Sequence, residues 1–209
     1  MRSFLLKLMG LIFIPVLFSS CETTYLVDTW HNPDSTILRH HKLLLVYISK
    51  NDSNCSLYED GFAGELKRRG VASVSGHTLF PEGKRVNRQT LAKGVEESGA
   101  DAVLTMKKIG VERQTTLQPD NEVIYPNYWY PGAFPRWDLY GYIDGCSYYE
   151  PPYFSIYAIA KIQVNLFDAQ SGKLLRAATI QTSEPDNAVS VSKELSTIVI
   201  NSFIREGLI

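Results

Sequence analysis

The sequence predicts an α/β fold built on one mixed sheet of about five strands, and three observations carry that prediction. Apolar runs and helix-period segments alternate as strand, helix, strand, helix, strand over residues 42–113. A period-2 stretch at 154–166 is then followed by a turn and a second strand. A single helix-period segment closes the chain at 188–206. Crossover units of the first kind favour parallel neighbours, whereas a hairpin adds antiparallel ones.

Residues 42–49 (KLLLVYIS) form a nearly continuous apolar run, the pattern of a central strand covered on both faces. A helix is expected over 53–69: Ser56 and Glu59 have capping-box spacing, Tyr58, Phe62 and Leu66 repeat every fourth position, and Lys67, Arg68 and Arg69 precede the stop at Gly70. A short strand at 71–75 follows. Pro81 and Gly83 mark a loop, and a second helix is expected over 88–98 with Leu91 and Val95 inward and Gly99 as its end. Residues 101–106 (DAVLTM) are again strand-like and extend toward Arg113. In the carboxyl-terminal part, Phe154, Ile156, Ala158, Ala160, Ile162, Val164 and Leu166 alternate as in a strand with one buried face. DAQSG at 168–172 is a hairpin turn, and 173–182 is the return strand. In the last helix Leu195, Ile198, Val199 and Phe203 share one side, which predicts packing on a sheet face.

The amino terminus has a different character. Arg2 and Lys7 precede the uncharged run 8–18 (LMGLIFIPVLF), which is shorter than the about 20 apolar residues of a spanning helix and is interrupted by Pro15. Those are the n- and h-regions of a secretory signal. Phe18-Ser19-Ser20-Cys21, with small residues just before a cysteine, resembles a bacterial lipobox, with Phe18 where Leu is usual and Leu17 one step back. The resemblance implies cleavage after Ser20, a diacylglyceryl thioether on Cys21 and an acylated amine, which together anchor a protein permanently. Glu22 stands where inner-membrane lipoproteins of enteric bacteria tend to carry Asp, so the resemblance implies the periplasmic face of the outer membrane. Residues 21–41, polar with Tyr25, Trp30 and a turn at Asn32-Pro33-Asp34-Ser35, are expected to be a lipid-anchored tether, and 42–209 a single domain.

The chain has 209 residues, 44% hydrophobic and 21% charged, which excludes disordered and fibrous classes. Its 21 basic and 22 acidic residues leave a net charge of −1, and loss of Arg2 and Lys7 with the signal makes it −3. Neither a nucleic acid nor adhesion to an anionic lipid surface is expected; membrane contact would come through the amino-terminal lipid. The 3 cysteines contain no CxxC pair, which argues against structural zinc.

Residues 125–157 hold 13 aromatics, including 9 of the 12 tyrosines, together with Pro126, Pro131, Pro135, Pro151 and Pro152. The prolines argue against a regular helix or an interior strand, so a long ordered loop inserted at about 118–153 is expected. Three roles compete. The rings can pack on one another and close a sheet edge; Tyr128, Trp129, Tyr130, Trp137, Tyr140 and Tyr142 can form a platform for an envelope protein or a glycan; or the segment can enter the membrane. The last is disfavoured because the residues do not alternate as a membrane hairpin requires.

Enzyme signatures are missing from the sequence: HExxH, GxSxG, a P-loop and GxGxxG do not occur. His40 and His41 point to opposite sides of an extended chain, and with His31 and His77 they are expected at the surface or in the tether. Glu59, Asp60, Glu65, Glu96 and Glu97 are expected on solvated helix faces. Nothing calls for a metal or another cofactor. Cys55 and Cys146 are a candidate disulfide for an oxidising compartment, worth about 2–4 kcal/mol if formed.

The lipobox, the strand KLLLVYIS, Arg69-Gly70-Val71 after a helix, Gly99-Ala100-Asp101 leading into a strand, and Asp168 with Ser171-Gly172-Lys173-Leu174 at the hairpin together resemble a broad group of bacterial envelope lipoproteins. The fold of that group is similar to the curli-secretion lipoprotein, the lipoprotein activators of penicillin-binding proteins and the amino-terminal domain of TolB. The resemblance implies a non-enzymatic binding or assembly module. A self-assembling secretion-channel subunit and a purely structural envelope lipoprotein are the alternatives.

Overall fold

A computed structural model describes residues 23–34, 39–49, 54–80, 86–113, 138–146, 158–183 and 187–209. It contains six strands: β1 (Thr24–His31), β2 (Lys42–Tyr47), β3 (Ala72–Ser75), β4 (Ala102–Arg113), β5 (Ala158–Asp168) and β6 (Leu174–Thr182). The helices are α1 (Cys55–Arg68), α2 (Arg88–Ser98), α3 (Leu139–Cys146) and α4 (Ala188–Arg205), with a 3₁₀ turn at Gly76–Thr78. All six strands join one mixed sheet in the order β1-β6-β5-β4-β2-β3. β2 lies parallel to both β3 and β4, and the β4–β5, β5–β6 and β6–β1 pairs are antiparallel. The α/β prediction therefore holds, with one strand more than expected.

Helices cover both faces. Leu43, Leu45 and Tyr47 of β2 point one way with Leu104, Met106, Ile162, Val164 and Ile180, and meet Phe62 and Leu66 of α1 and Leu195, Val199 and Phe203 of α4. Leu44 and Val46 point the other way with Val103 and Phe167, and meet Leu91 of α2 and Leu139, Tyr142 and Ile143 of α3. Five consecutive residues of β2 are buried because its alternate side chains enter two different cores, which is why its run reads as continuous.

The motifs of the resemblance act as local turn chemistry. Gly99 ends α2 in the left-handed region (φ 60°), and its N–H donates to Val95 O at 3.0 Å. Two residues on, the Asp101 carboxylate accepts the N–H groups of His41 (2.8 Å) and Lys42 (3.1 Å), tying the start of β2 to the start of β4. Asp168 accepts the Ser171 N–H and hydroxyl at 2.6 Å each, with Gly172 at φ 70° turning the chain into β6. Asn87 caps α2 in a capping box with Thr90.

Four expectations are corrected. The 21–41 tether contains β1, which pairs with β6 from Thr24↔Thr182 to His31↔Arg176. A bulge between Leu26 and Asp28 breaks the period-2 pattern that would have marked it as a strand. The aromatic segment is not loop throughout: α3 occupies the proline-free stretch between Pro135 and Pro151, and Asp138 accepts the Tyr140 and Gly141 N–H groups at 3.1 and 2.9 Å at its start. The Ser56–Glu59 capping box does not form. Asn54 is the N-cap without a side-chain bond, and Glu59 is used elsewhere. Glu59 and Glu65 are buried rather than solvated.

Candidate functional sites

Of the predicted aromatic platform, Tyr128, Trp129, Tyr130 and Trp137 lie outside the described residues, as does Cys21. Tyr140 is half-buried at the start of α3, with the Arg88 guanidinium of α2 5.0 Å from its ring centroid. Tyr142 does not belong to an exposed platform. Two residues along a helix put its side chain inward, where it is 0% exposed against Phe167 at 5.3 Å between ring centroids. The two members seen therefore divide: Tyr140 sits at the rim and Tyr142 in the core.

Of the candidate Cys55–Cys146 bridge, the Cys146 side chain lies outside the described residues. Cys55 opens α1 and packs into the core of the α1/α4 face, whereas α3, which ends at Cys146, packs Tyr142 and Ile143 into the opposite face. The sheet lies between the two helices.

Two polar clusters emerge that the sequence did not single out. The first lies at the carboxyl ends of the parallel strands β2 and β3, the rim where open α/β sheets tend to bind ligands. Glu59, 2% exposed, projects from α1 so that Oε1 accepts the Tyr47 N–H at 2.8 Å. Its Oε2 accepts the His77 N–H at 2.7 Å and lies 2.9 Å from His77 Nδ1. Nε2 of the same ring is 3.7 Å from Asp60 Oδ1, and Asp60 accepts the Ser75 hydroxyl at 3.2 Å. Burial pushes the Glu59 carboxyl above its ordinary 4.5, against the pull of the Tyr47 and His77 hydrogen bonds. Both carboxylate oxygens are engaged by groups that hold the β3–3₁₀ junction onto the end of β2, so the arrangement fastens backbone. His77 is thus a bonded partner rather than a surface histidine. His40, expected in the tether, is buried with Nδ1 3.7 Å from Asp101.

The second cluster crosses the centre of the sheet on the face that carries α2 and α3. Thr105 pairs with Asn165 and Lys107 with Gln163 on alternate rungs of β4 and β5. Alternation from Val103 and Phe167 places all four on the α2/α3 face, and all four are buried, Lys107 at 2% exposure. Thr105 Oγ1 and both amide atoms of Gln163 and Asn165 lack hydrogen-bond partners among the described residues. Each such group costs about 1–3 kcal/mol. The stripe can hydrogen-bond a polar molecule or water, and its residue types name neither. Period-2 reading of β5 had marked Ile162, Val164 and Leu166 but left the character of the facing positions open. Among the described residues, no group of three or more His, Cys, Asp or Glu stands close enough to hold a metal, and no helix is long and apolar enough to cross a membrane.

No known family model matches the chain, and no curated protein matches its sequence. Solved structures do align with it. The PelC dodecamer from Paraburkholderia phytofirmans is 12% identical with a TM-score of 0.44, covering 84% of this chain and 94% of that one. The lipoprotein GNA1162 from Neisseria meningitidis is 14% identical with a TM-score of 0.37, covering 79% and 95%. A PDZ domain protein from Parabacteroides distasonis is 8% identical with a TM-score of 0.41, covering 87% of this chain and 36% of its own. Likeness of that order fixes neither function nor partner.

Proposed function

We propose that this chain is a non-enzymatic lipoprotein of the bacterial envelope, held through Cys21 on the periplasmic face of the outer membrane, whose three-layer domain serves as a binding and assembly module for an envelope protein or a glycan. The observation that carries this reading is the lipobox-like Phe18-Ser19-Ser20-Cys21, placed after a charged n-region and an apolar run and directly before the first strand at Thr24. The Glu59–His77 cluster supports a non-catalytic domain, because its acceptors are already engaged by backbone N–H groups.

The experiment is intact-mass analysis of the protein purified from its native membranes, alongside a Cys21→Ser variant. The mature chain is expected to begin at Cys21, to carry acyl chains and to sediment with outer-membrane density; the variant is expected to remain unprocessed or to leave the membrane. An unmodified Cys21 in membrane-bound protein would overturn the anchor. A photo-crosslinking residue at Tyr130, with a second at Trp137, tests the binding role. A reproducible adduct with a different protein or a glycan supports a module for a partner, an adduct with a second copy supports the secretion-channel-like alternative, and silence at both positions removes the aromatic segment as the binding surface.

A further inference from the structure

Between Cys21 and β1 the chain has only Glu22 and Thr23, and Thr23 is itself tied down. Its carbonyl accepts the Ser183 N–H at 3.0 Å, and its hydroxyl donates to Glu194 of α4 at 3.2 Å. At about 3.3–3.6 Å per residue, Cys21 lies within roughly 11 Å of Thr24. The end of the sheet that meets the anchor is therefore defined: it holds Thr24 of β1, Thr182 of β6, Ala158 of β5 and Arg113 of β4, with α4 starting nearby at Ala188.

The large apolar side chains most exposed among the described residues gather toward this end. Tyr25 and Val27 of β1 are each 49% exposed, Tyr25 on the sheet face away from α4 with its hydroxyl accepting from Gln181 Nε2 at 2.6 Å, and Val189, in the first turn of α4, is 66% exposed. Val27 is the position that the β1 bulge leaves without a cross-strand partner, between Leu26↔Ile180 and Asp28↔Thr179. A bulge re-aims a side chain away from the regular face of a sheet.

We propose that this corner, formed by the first half of β1 and the first turn of α4, docks on the lipid interface, with Tyr25, Val27 and Val189 among the head groups. The domain then stands on one end of its sheet instead of swinging on a tether. The proposal rests on acylation of Cys21. A bilayer is the fitting occupant because the interval of about 11 Å from Cys21 keeps this corner within the width of a single helix, about 10–12 Å, of the lipid. The contact is apolar in kind: Asp28 and Glu194 at this corner are acidic, so an anionic surface is not required and zwitterionic lipid suffices.

The test uses the full-length acylated protein with Cys55→Ser and Cys146→Ser, carrying one environment-sensitive fluorophore on Val27→Cys, Val189→Cys or, at the far end in the β5–β6 turn, Ser171→Cys. Each protein is reconstituted into phosphatidylcholine vesicles with brominated acyl chains. Bromolipid is expected to quench the probes at 27 and 189 at least about twofold while leaving the probe at 171 nearly unchanged. All three positions are exposed, so a folded far-ultraviolet circular dichroism spectrum is expected for each; the probe at 189, on a helix surface, serves if the one at 27 perturbs β1. Equal, weak quenching at all positions in protein that floats with the vesicles would overturn the docking while leaving the anchor intact. Protein that does not float, and behaves like its Cys21→Ser variant, would remove the anchor and the docking together.

Discussion

Among single residues, Glu59 has the largest consequences. Deleting its carboxylate in Glu59→Ala leaves the Tyr47 and His77 N–H groups without their acceptor, at about 1–3 kcal/mol for each donor that stays buried. Urea unfolding is expected to show a loss of about 3 kcal/mol, against less than about 0.5 kcal/mol for Glu97→Ala on the exposed face of α2. The carboxyl also has a pH signature. Because its folded value is raised above 4.5, the folded state holds the proton more tightly than the unfolded chain. The corresponding stabilisation is complete below about pH 4.5 and is lost as pH rises through the raised value. Unfolding of the wild type and of Glu59→Gln at a series of pH values checks this: the stability difference between them is expected to move against the wild type across that interval. Glu65 behaves oppositely. The hydrogen bond from Arg68, reinforced by Arg69 at 3.1 Å, holds its carboxyl below the ordinary value, so its contribution is present above pH 4.5 and fades in acid. The Glu65 pairs are legible as i,i+3 and i,i+4 spacings, whereas nothing local in the sequence connects Glu59 with His77, 18 positions away.

At the scale of elements, the α1–α4 crossing and the β4–β5 stripe make opposite demands. Gly61 lets α1 approach α4 so closely that an added Cβ would collide with the Ser192 hydroxyl, which itself donates to Leu57 O at 3.0 Å. Gly61→Ala is thus expected to cost about 1 kcal/mol despite the better helix propensity of alanine, and Ser192→Ala in the same chain is expected to recover part of the loss, as a double-mutant cycle would measure. In the stripe the expected sign is reversed. Asn165→Leu removes a buried amide that has no partner among the described residues, and a gain of about 1 kcal/mol in urea unfolding is expected. A loss instead would show that a polar molecule or water completes the site in solution. Element types were largely legible: α2 was expected over 88–98 and occurs at Arg88–Ser98, and the hairpin falls where DAQSG placed it. β1 and α3 were hidden by a bulge and by flanking prolines, features that disturb the periodicity on which such reading depends.

For the whole molecule, β1 decides how the domain is finished. It covers the edge of β6, so a chain truncated to start at Arg39, as a dispensable tether would allow, is expected to expose that edge and Ile180 beneath it. Loss of several degrees in Tm together with concentration-dependent aggregation in light scattering is the expected outcome; an unchanged Tm would return 21–41 to the role of tether. Packing against two faces also explains why single-sided patterns succeeded unevenly. α1 and α4 each show one apolar side because each meets one core, whereas the 125–157 segment mixes rim and core residues such as Tyr140 and Tyr142 at alternate positions.

By itself the sequence determined the α/β class, the order of the helices and main strands, the turns at Gly99 and Gly172 and the lipobox-like amino terminus, since each is written in neighbouring residues through hydrophobic period, backbone conformation or local hydrogen bonding. Only the tertiary structure decided that β1 completes the sheet, that Cys55 and α3 lie on opposite faces, that Glu59 reaches Tyr47 and His77, and that Tyr142 turns inward while a buried polar stripe crosses the same face of the sheet. Those outcomes depend on which distant segments meet, and burial, unlike periodicity, is a property of the partner as much as of the residue.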